Sequence, residues 1–594
     1  MTTGRGQSRP DSANSLGRTN QLTARQLEIL ALLRAGRANK EIAYELGIGI
    51  GTVKQHVVAL FRKLNVTNRA AAVSRGNEFD WRAGNDAPLI EAAEHGAAVE
   101  ARPVTILSMR EDGRNNALNR AVSVAVGERD CTLVMRPNDG VDIIFGLHRV
   151  DERDCLDALA VAYAASNGLR EEFHRSGAPA PALRAGLSTG MALVSVRRRG
   201  GWTGESVAGR PIARARDLRD VAAPGRLEMD EASRRMMAFA LRSANDGERQ
   251  SELTLPLDRA TDRLRRGCRT TPAQVIHGRR DEKARLDAAL ASLAEGRGTV
   301  VWVEGESGMG KTTLCRALRS DAAAMGAAWI DAGCGAVQPL GEVLATLGRG
   351  QGRPPAQAVI GNDDALAGVD RLLRKGPLAV LVEDCHRATD DETRLMLGLA
   401  GMVTTRPLLL LGAGRAARHP LLQGAGTAIR LGRMGQEDLS AVIADEAGGR
   451  LPPPLVDRVL DLAAGVPLFA VELTRAAVAT GLSVGDALPL PLSLVALVLS
   501  RIDSLDLDRH LLRLVARRGD AELSALSAGW DGIEAEFEAE LGRAVAAGVL
   551  SRSRDHAGFA HPLVGEVVRQ TMLAAGGEGG RTLASRVAMT REAG

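Results

Sequence analysis

The run Gly305-Glu306-Ser307-Gly308-Met309-Gly310-Lys311-Thr312-Thr313 has the spacing G-x-x-x-x-G-K-[ST]. That spacing is suited to phosphate. Glycines let successive backbone N–H groups face one anion, a lysine reaches the terminal phosphates, and a hydroxyl holds Mg. Gly305, Gly308, Gly310, Lys311, Thr312 and Thr313 are therefore expected to cradle a nucleotide, with Lys311 on the β and γ phosphates and Thr312 on the metal. A second chemistry-bearing pair, Glu383-Asp384, ends an apolar run at 378–382. Acids at a strand terminus suit a site in which Glu383 orients the Mg shell and Asp384 polarises the attacking water, a loop charge pair being the alternative. Arg415 follows another apolar run, 408–411, and is placed either to touch a γ-phosphate or to lie at the surface.

A different chemistry belongs to the first 75 residues. They hold twelve Lys and Arg against four Asp and Glu, whereas the whole chain has 76 against 72, so a +8 head precedes a body of −4. Such asymmetry points to a nucleic-acid-binding end. In the third of its helical stretches Val53, Val57, Leu60 and Leu64 fall on one face, leaving Lys54, Gln55, Val58 and Arg62 to project from the other. A helix held by its apolar back with Lys and Gln near its start fits the major groove of double-stranded DNA.

Elements must position these groups. An apolar strand over 299–304 leads into the phosphate loop and a helix follows it, so the anion would sit at a helix N-terminus whose dipole favours it. Thr23 and Gln26 have capping-box spacing and start the first helix of the basic head; a second runs from Asn39 to a stop at Gly47, and the third begins near Thr52. Between head and phosphate loop the chain alternates: a strand at 104–109, two strands in 131–145 around Pro137-Asn138-Asp139-Gly140, a helix at 156–175, and a strand pair in 183–196. At 594 residues, 45% hydrophobic and 25% charged, the chain is globular and multidomain rather than disordered in the main. No apolar run approaches the roughly 18 residues of a membrane span, and a cytoplasmic location is expected. The six cysteines, Cys131, Cys155, Cys268, Cys315, Cys334 and Cys385, are scattered and read as reduced thiols.

Three resemblances follow from these residues. Leu22-Thr23-x-Arg25, Asn39-Lys40-Glu41-Ile42-Ala43, Leu46-Gly47-Ile48 and Thr52-Val53-Lys54-x-His56 resemble the LuxR-type helix-turn-helix. The resemblance implies Lys54, Gln55 and Val58 at base edges, Lys40, Thr52 and His56 near the DNA backbone, and dimeric binding. Gly49 stands where that family has a capping Ser, and Val58 where it has a polar side chain, so base preference does not transfer.

The middle segment is similar to class III nucleotide cyclase homology domains, including Gly186-x-x-x-Gly190 as a strand turn and Ala222-Ala223-Pro224-Gly225. The family's first metal carboxylate aligns with Arg110 and its second with Asp139; its Asn and Arg positions fall on Ala213 and Asp217, or after a one-residue slip on Arg214 or Arg216. A cation in place of a carboxylate is incompatible with two-metal catalysis, so a degenerate domain for dimerisation or ligand sensing is expected.

The segment carrying the phosphate loop resembles the STAND class of AAA-related ATPases, through Gly278-Arg279-x-x-Glu282, Glu383-Asp384-Cys385-His386-Arg387-Ala388, Gly465-Val466-Pro467-Leu468 and Phe559-Ala560-His561-Pro562-Leu563. It implies ATP or ADP with Mg as cofactors, Arg279 near the base, Pro467 on adenine and His561 at the β-phosphate.

The expected organisation is thus a disordered leader (1–20), an all-α helix-turn-helix (21–76), an α+β cyclase-like domain (102–258), an α/β P-loop NTPase (273–435) with helical and winged-helix extensions (436–575), and a truncated helical repeat (576–594). The expected function is an ATP-dependent transcriptional regulator that self-associates into a homo-oligomer when ATP-bound, with slow hydrolysis as its reset, no membrane partner, and RNA polymerase as a further candidate partner. An active nucleotide cyclase and a signalling ATPase scaffold without DNA targets are the competing classes.

Overall fold

The structure is a computed structural model that describes residues 98–112, 117–127, 129–136, 140–177, 179–204, 207–240, 254–257, 276–334, 340–341, 343–344, 361–415, 426–482 and 488–572, together with Val57. Val57, from the apolar stripe of the expected recognition helix, is helical and buried. Lys40, Thr52, Lys54, Gln55, His56 and Val58 lie outside the described residues, as do the expected leader and the truncated repeat.

The α+β body is built on β1 (Ala98–Glu111), a long strand paired antiparallel with β3 (Gly140–Phe145) on one side and, residue for residue, with β4 (Leu183–Val196) on the other. Between β1 and β3 come α1 (Ala117–Val126) and β2 (Cys131–Arg136); α2 (Asp154–Ser176) joins β3 to β4. After β4 follow α3 (Arg210–Val221), β5 (Arg226–Met229), α4 (Glu231–Ala240) and β6 (Thr254–Pro256). The sheet order β2-β3-β1-β4-β5-β6, with β1 to β4 linked β-α-β-β-α-β, is a ferredoxin-like arrangement extended by two strands. Alternation along β1 serves both faces: Leu107 and Met109 pack under α1 and α2, while Val104 and Ile106 pack with Ile212 and Ala215 of α3.

Two expectations change here. Residues 183–196 form one unbroken strand rather than a strand pair, and Gly186 and Gly190 are not a turn. They make room for the crossing of α3: a Cβ on Gly186 would stand 2.0 Å from the Ala215 carbonyl oxygen, and one on Gly190 2.9 Å from Pro211 Cγ. β1 also starts earlier than the pattern at 104–109 suggests, because 98–102 pair with the end of β4.

The P-loop body is a five-stranded parallel sheet in the order β11-β7-β10-β9-β8. Its strands are β7 (Thr299–Glu304), β8 (Ala328–Gly333), β9 (Leu378–Glu383), β10 (Leu408–Gly414) and β11 (Thr427–Arg430). Helices α5 (Arg280–Ala294), α6 (Lys311–Arg316) and α7 (Leu318–Ala324) cover one face; α8 (Asn362–Leu373) and α9 (Asp390–Val403) cover the other. Burial on both faces is why 378–382 and 408–411 read as unbroken apolar runs rather than alternating ones. A capping box, Thr389 with Glu392, starts α9. Because β10 lies between β7 and β9, the loops leaving all three carboxyl ends converge, the usual place for a ligand in an open α/β sheet.

Three helices follow: α10 (Gln436–Ala447), α11 (Pro453–Ala463) and α12 (Pro467–Thr480), the last two opened by prolines whose missing N–H costs nothing in a first turn. Next come α13 (Leu492–Ser504), α14 (Arg509–Arg518), β12 (Ala521–Glu522), α15 (Leu523–Ser527), α16 (Glu534–Ala546), β13 (Leu550–Arg552), β14 (His556–Phe559) and α17 (Pro562–Met572). From α14 to β14 this is a helix, a strand, two helices and a hairpin closed into one three-stranded sheet, a winged-helix arrangement. No helix among the described residues is long and apolar enough to cross a membrane.

The α+β body packs on the C-terminal helices through a buried ionic cluster. Arg102 of β1 pairs with Asp503 of α13; Arg509 of α14 pairs with Asp503 and with Glu100 at 3.2 Å, and Arg513 reaches Glu100 at 2.6 Å. Glu100, Arg102 and Arg509 are almost wholly excluded from solvent, so each charge depends on its partners.

Candidate nucleotide site

Gly308 and Gly310 hold left-handed backbone angles, φ +83° and +85°, which a side chain would oppose; Gly310 is the cap from which α6 starts. Lys311 is the first residue of that helix. Its ammonium donates to the carbonyl oxygens of Gly305 at 2.8 Å and Glu306 at 2.9 Å, folded onto the loop that carries it. Burial pushes the Lys311 pKa below the usual lysine range, with Arg415 adding to the effect and Asp384, Glu306 and Glu152 opposing it. Thr312 and Thr313 follow in the first turn.

The Gly-x-Pro segment closes over this loop. The Leu468 N–H donates to the Gly308 carbonyl at 3.2 Å, and the side chains of Val466 and Leu468 occupy the space a Gly308 Cβ would need. Pro467 is thereby set directly beside the phosphate loop. Arg279, in a left-handed conformation, is engaged by the protein itself: it pairs with Glu282 at 3.1 Å and donates to the Gly432 carbonyl, tying the start of α5 to the chain after β11.

His561 is one layer further out. Its Nε2 lies 3.2 Å from the Ala463 carbonyl, its Nδ1 accepts from the Leu563 N–H, and the ring meets Phe469 edge-on at 5.2 Å. Burial, with Arg433 assisting, lowers its pKa to about 4. Through these two contacts the ring ties the start of α17 to the last turn of α11.

The acids sit at the end of β9. Glu383 pairs with Arg316 of α6 at 3.0 Å, and Arg316 also lies 3.4 Å from Asp331 of β8. Burial raises the Glu383 pKa, while Arg316 and the Thr312 hydroxyl pull it back. Its Oε1 is buried without a hydrogen-bond partner, an acceptor position that fits the hydrated shell of a cation held by Thr312. Asp384 follows with φ 52°, and a one-turn helix over Cys385–Arg387 turns the chain away. Arg415 directly follows β10, close enough for its charge to act on Lys311 and His386; His386 is lowered to about 4, chiefly by burial.

Two features were not read from the sequence. Arg316 is a cation on the buried side of the phosphate-loop helix, and that unusual placement was the available signal. The other is the segment after β3: Asp151 receives a hydrogen bond from Arg387, and Arg153 lies 3.9 Å from Asp384. These residues come from another body far away in sequence, and no local pattern marks them.

The α+β body's own cleft is satisfied internally. Arg110 pairs with Asp220 at 3.2 Å. Asp142, buried on β3, accepts from Arg216 at 3.0 and 2.8 Å and from Ser108 at 2.6 Å, while Arg219 bonds Asp220 at 2.9 Å. Ala213, Arg214 and Asp217 are exposed on α3, so of the two slipped alternatives Arg216 is the one turned to the sheet. Asp139 lies outside the described residues. Of the cysteines, Cys131, Cys155, Cys315, Cys334 and Cys385 are free thiols, and Cys268 lies outside the described residues.

Comparison with known proteins places two families on the chain. Residues 20–75 match the bacterial regulatory proteins of the luxR family, and residues 276–411 match the AAA ATPase domain. The glycerol metabolism activator of Pseudomonas putida is 47% identical over 62 residues, 10% of this chain and 28% of that protein. An uncharacterized protein of Rhizobium meliloti is 23% identical over 428 residues, 61% of this chain and 41% of that one. Among solved structures, the Walker-type ATPase of Pyrococcus abyssi is similar at 14% identity and a TM-score of 0.35, covering 50% of this chain and 96% of that chain. The chain thus spans well under half the length of the two curated relatives named. A luxR-family helix-turn-helix region and an AAA ATPase domain are present, and the latter implies nucleotide with Mg.

Proposed function

We propose that this chain is a transcriptional regulator in which ATP or ADP at the P-loop body controls how a LuxR-type head at 21–76 engages double-stranded DNA. One observation carries the nucleotide half of the reading: a phosphate loop beside a buried Glu383 oxygen that has no protein partner. Bound Mg would supply Lewis-acid stabilisation of charge on the transferring phosphoryl group. The chain's own residues do the rest. Gly305 to Thr313 offer backbone N–H groups, Lys311 leaves its loop carbonyls for phosphate oxygens, Thr312 and Glu383 hold the cation and its water, Asp384 orients the attacking water, and Arg415 reads the γ-phosphate.

In this reading the α+β body is a non-catalytic unit related to the cyclase homology domains. The support is electrostatic: the resemblance aligns Arg110 with a metal carboxylate, Arg110 and Arg219 both pair with Asp220, and Arg216 pairs with Asp142. Lying between the DNA-binding head and the ATPase along the sequence, it passes the nucleotide state on. ATP-bound copies self-associate, and paired heads gain effective concentration at adjacent half-sites.

The decisive experiment maps genomic binding for the unaltered chain and for Lys311→Ala. Sites that vanish or thin in the variant are expected; equal occupancy removes nucleotide control, and no enriched sites for either removes the regulator reading. Purified protein should bind duplex with a steep salt dependence that Lys54→Ala/Gln55→Ala abolishes. Cyclic nucleotide formation in Mg or Mn by the purified chain would instead establish the cyclase class.

A further inference from the structure

The segment between β3 and α2 bridges the two bodies at the nucleotide site. At one end the Val150 N–H donates to Asp503 Oδ2 at 2.8 Å, inside the buried cluster of Arg102 and Arg509. At the other end Asp151 is paired with Arg387 and Arg153 lies 3.9 Å from Asp384, the acid assigned to the attacking water. Glu152, between them, is close enough to Arg387, Arg415 and Asp384 for their charges to act on its carboxyl, and it also acts on Lys311. The segment is shaped by its own bonds: the Arg153 N–H donates to Asp151 at 2.9 Å, and the Asp151 N–H to Asp154 at 3.1 Å.

Asp151 and Arg153 engage Arg387 and Asp384 at the end of β9, and the Glu152 carboxylate between them feels the charges of Lys311 and Arg415, the two cations that a terminal phosphate would use. The segment and a γ-phosphate therefore compete, whereas a diphosphate lacks the charge that makes the competition. A ligand that favours one of two arrangements shifts the population toward it by its difference in affinity.

We propose that Asp151-Glu152-Arg153 is an autoinhibitory strap, which docks the α+β body on the nucleotide site, is displaced by a nucleoside triphosphate but not by a diphosphate, and on leaving pulls Val150 away from Asp503. The inference rests on the nucleotide-switch reading and names how the α+β body is coupled to it. Displacement breaks the ion pairs with Arg387 and Asp384 and frees Asp384 for its water. Through Val150 it also disturbs the cluster that clamps β1 on α13 and α14, so one event at the phosphate loop loosens both contacts of the α+β body.

The test uses the full chain and fluorescent ATP and ADP analogues. In Asp151→Arg and in Arg387→Asp, affinity for the triphosphate should rise relative to the diphosphate by about tenfold, the size of change expected when a minor competent state becomes the main one. The double variant Asp151→Arg/Arg387→Asp should return the ratio to that of the unaltered chain. Glu152→Gln, which keeps shape, should move the ratio in the same direction and carries the test if a charge reversal fails to fold. Hydrogen exchange at residues 149–154 should quicken with the triphosphate analogue alone. A ratio unchanged in Glu152→Gln and in the folded charge reversals, or a double variant that adds the single effects instead of cancelling them, overturns the strap while leaving the nucleotide site standing. If Lys311→Ala binds nucleotide as the unaltered chain does, the switch reading fails and the strap with it.

Discussion

The nucleotide site and the α+β cleft are built from similar parts, acids and arginines at a sheet next to a crossing helix, and they differ in what is left over. In the cleft Asp142 has Arg216 and Ser108, and Asp220 has Arg110 and Arg219. At the P-loop, Glu383 Oε1 has no protein partner and Lys311 is held only by carbonyls of its own loop. Desolvating a charge is costly, so buried ions are paired where the fold allows it. An unpartnered buried oxygen also occurs at Glu111 Oε2 of the α+β body, so it is the unpartnered oxygen next to a phosphate loop, and not the unpartnered oxygen alone, that marks the nucleotide site.

The contrast breaks most clearly under substitution. Lys311→Ala should weaken nucleotide binding by on the order of 100-fold, since a charged donor contributes about 1.5–3 kcal/mol to each hydrogen bond it makes, and titration calorimetry reads this directly. Arg216→Ala should leave that affinity unchanged yet lower stability by roughly 3–5 kcal/mol in denaturant melts, because the buried Asp142 loses the guanidinium that balances it and the Ser108 hydroxyl is a neutral donor. A nucleotide-affinity defect in Arg216→Ala would mean that the pairing in the cleft is not purely structural.

A smaller effect sharpens the comparison through pH. His561 is lowered to about 4 against an ordinary value of 6.5. The unfolded chain therefore takes up a proton that the folded one refuses as pH falls below 6.5, and stability drops by up to about 3 kcal/mol by pH 4, with no penalty above that window. His561→Phe should flatten the dependence of melting temperature on pH in this window. An unchanged slope would show that His561 is not held neutral.

Legibility in the sequence followed the range of the interaction. Gly310, Lys311 and Thr312 act through neighbours a few residues away, and their helix forms where the spacing requires it. Arg279, Pro467 and His561 were assigned by resemblance to base, adenine and phosphate. In the structure Pro467 lies beside the phosphate loop, Arg279 donates to the Gly432 carbonyl and His561 engages Ala463 and Leu563, contacts that no motif supplies, because a motif gives a residue's place along the chain and not the direction of its side chain. Gly186 and Gly190 were misread as a turn for a related reason: glycine signals close approach as readily as a bend, and the approaching helix lies beyond the local window.

The sequence by itself determined the phosphate loop, the acids at a strand end, the basic head and the order of the segments, since each rests on local spacing or on composition. Tertiary structure alone decided which arginine neutralises Asp142, that Arg316 holds Glu383, and that Asp151 and Arg153 reach across to Arg387 and Asp384. Those pairs join residues tens to hundreds of positions apart. Charge pairing depends on distance in space, and the chain fixes that only once both sheets have folded and packed.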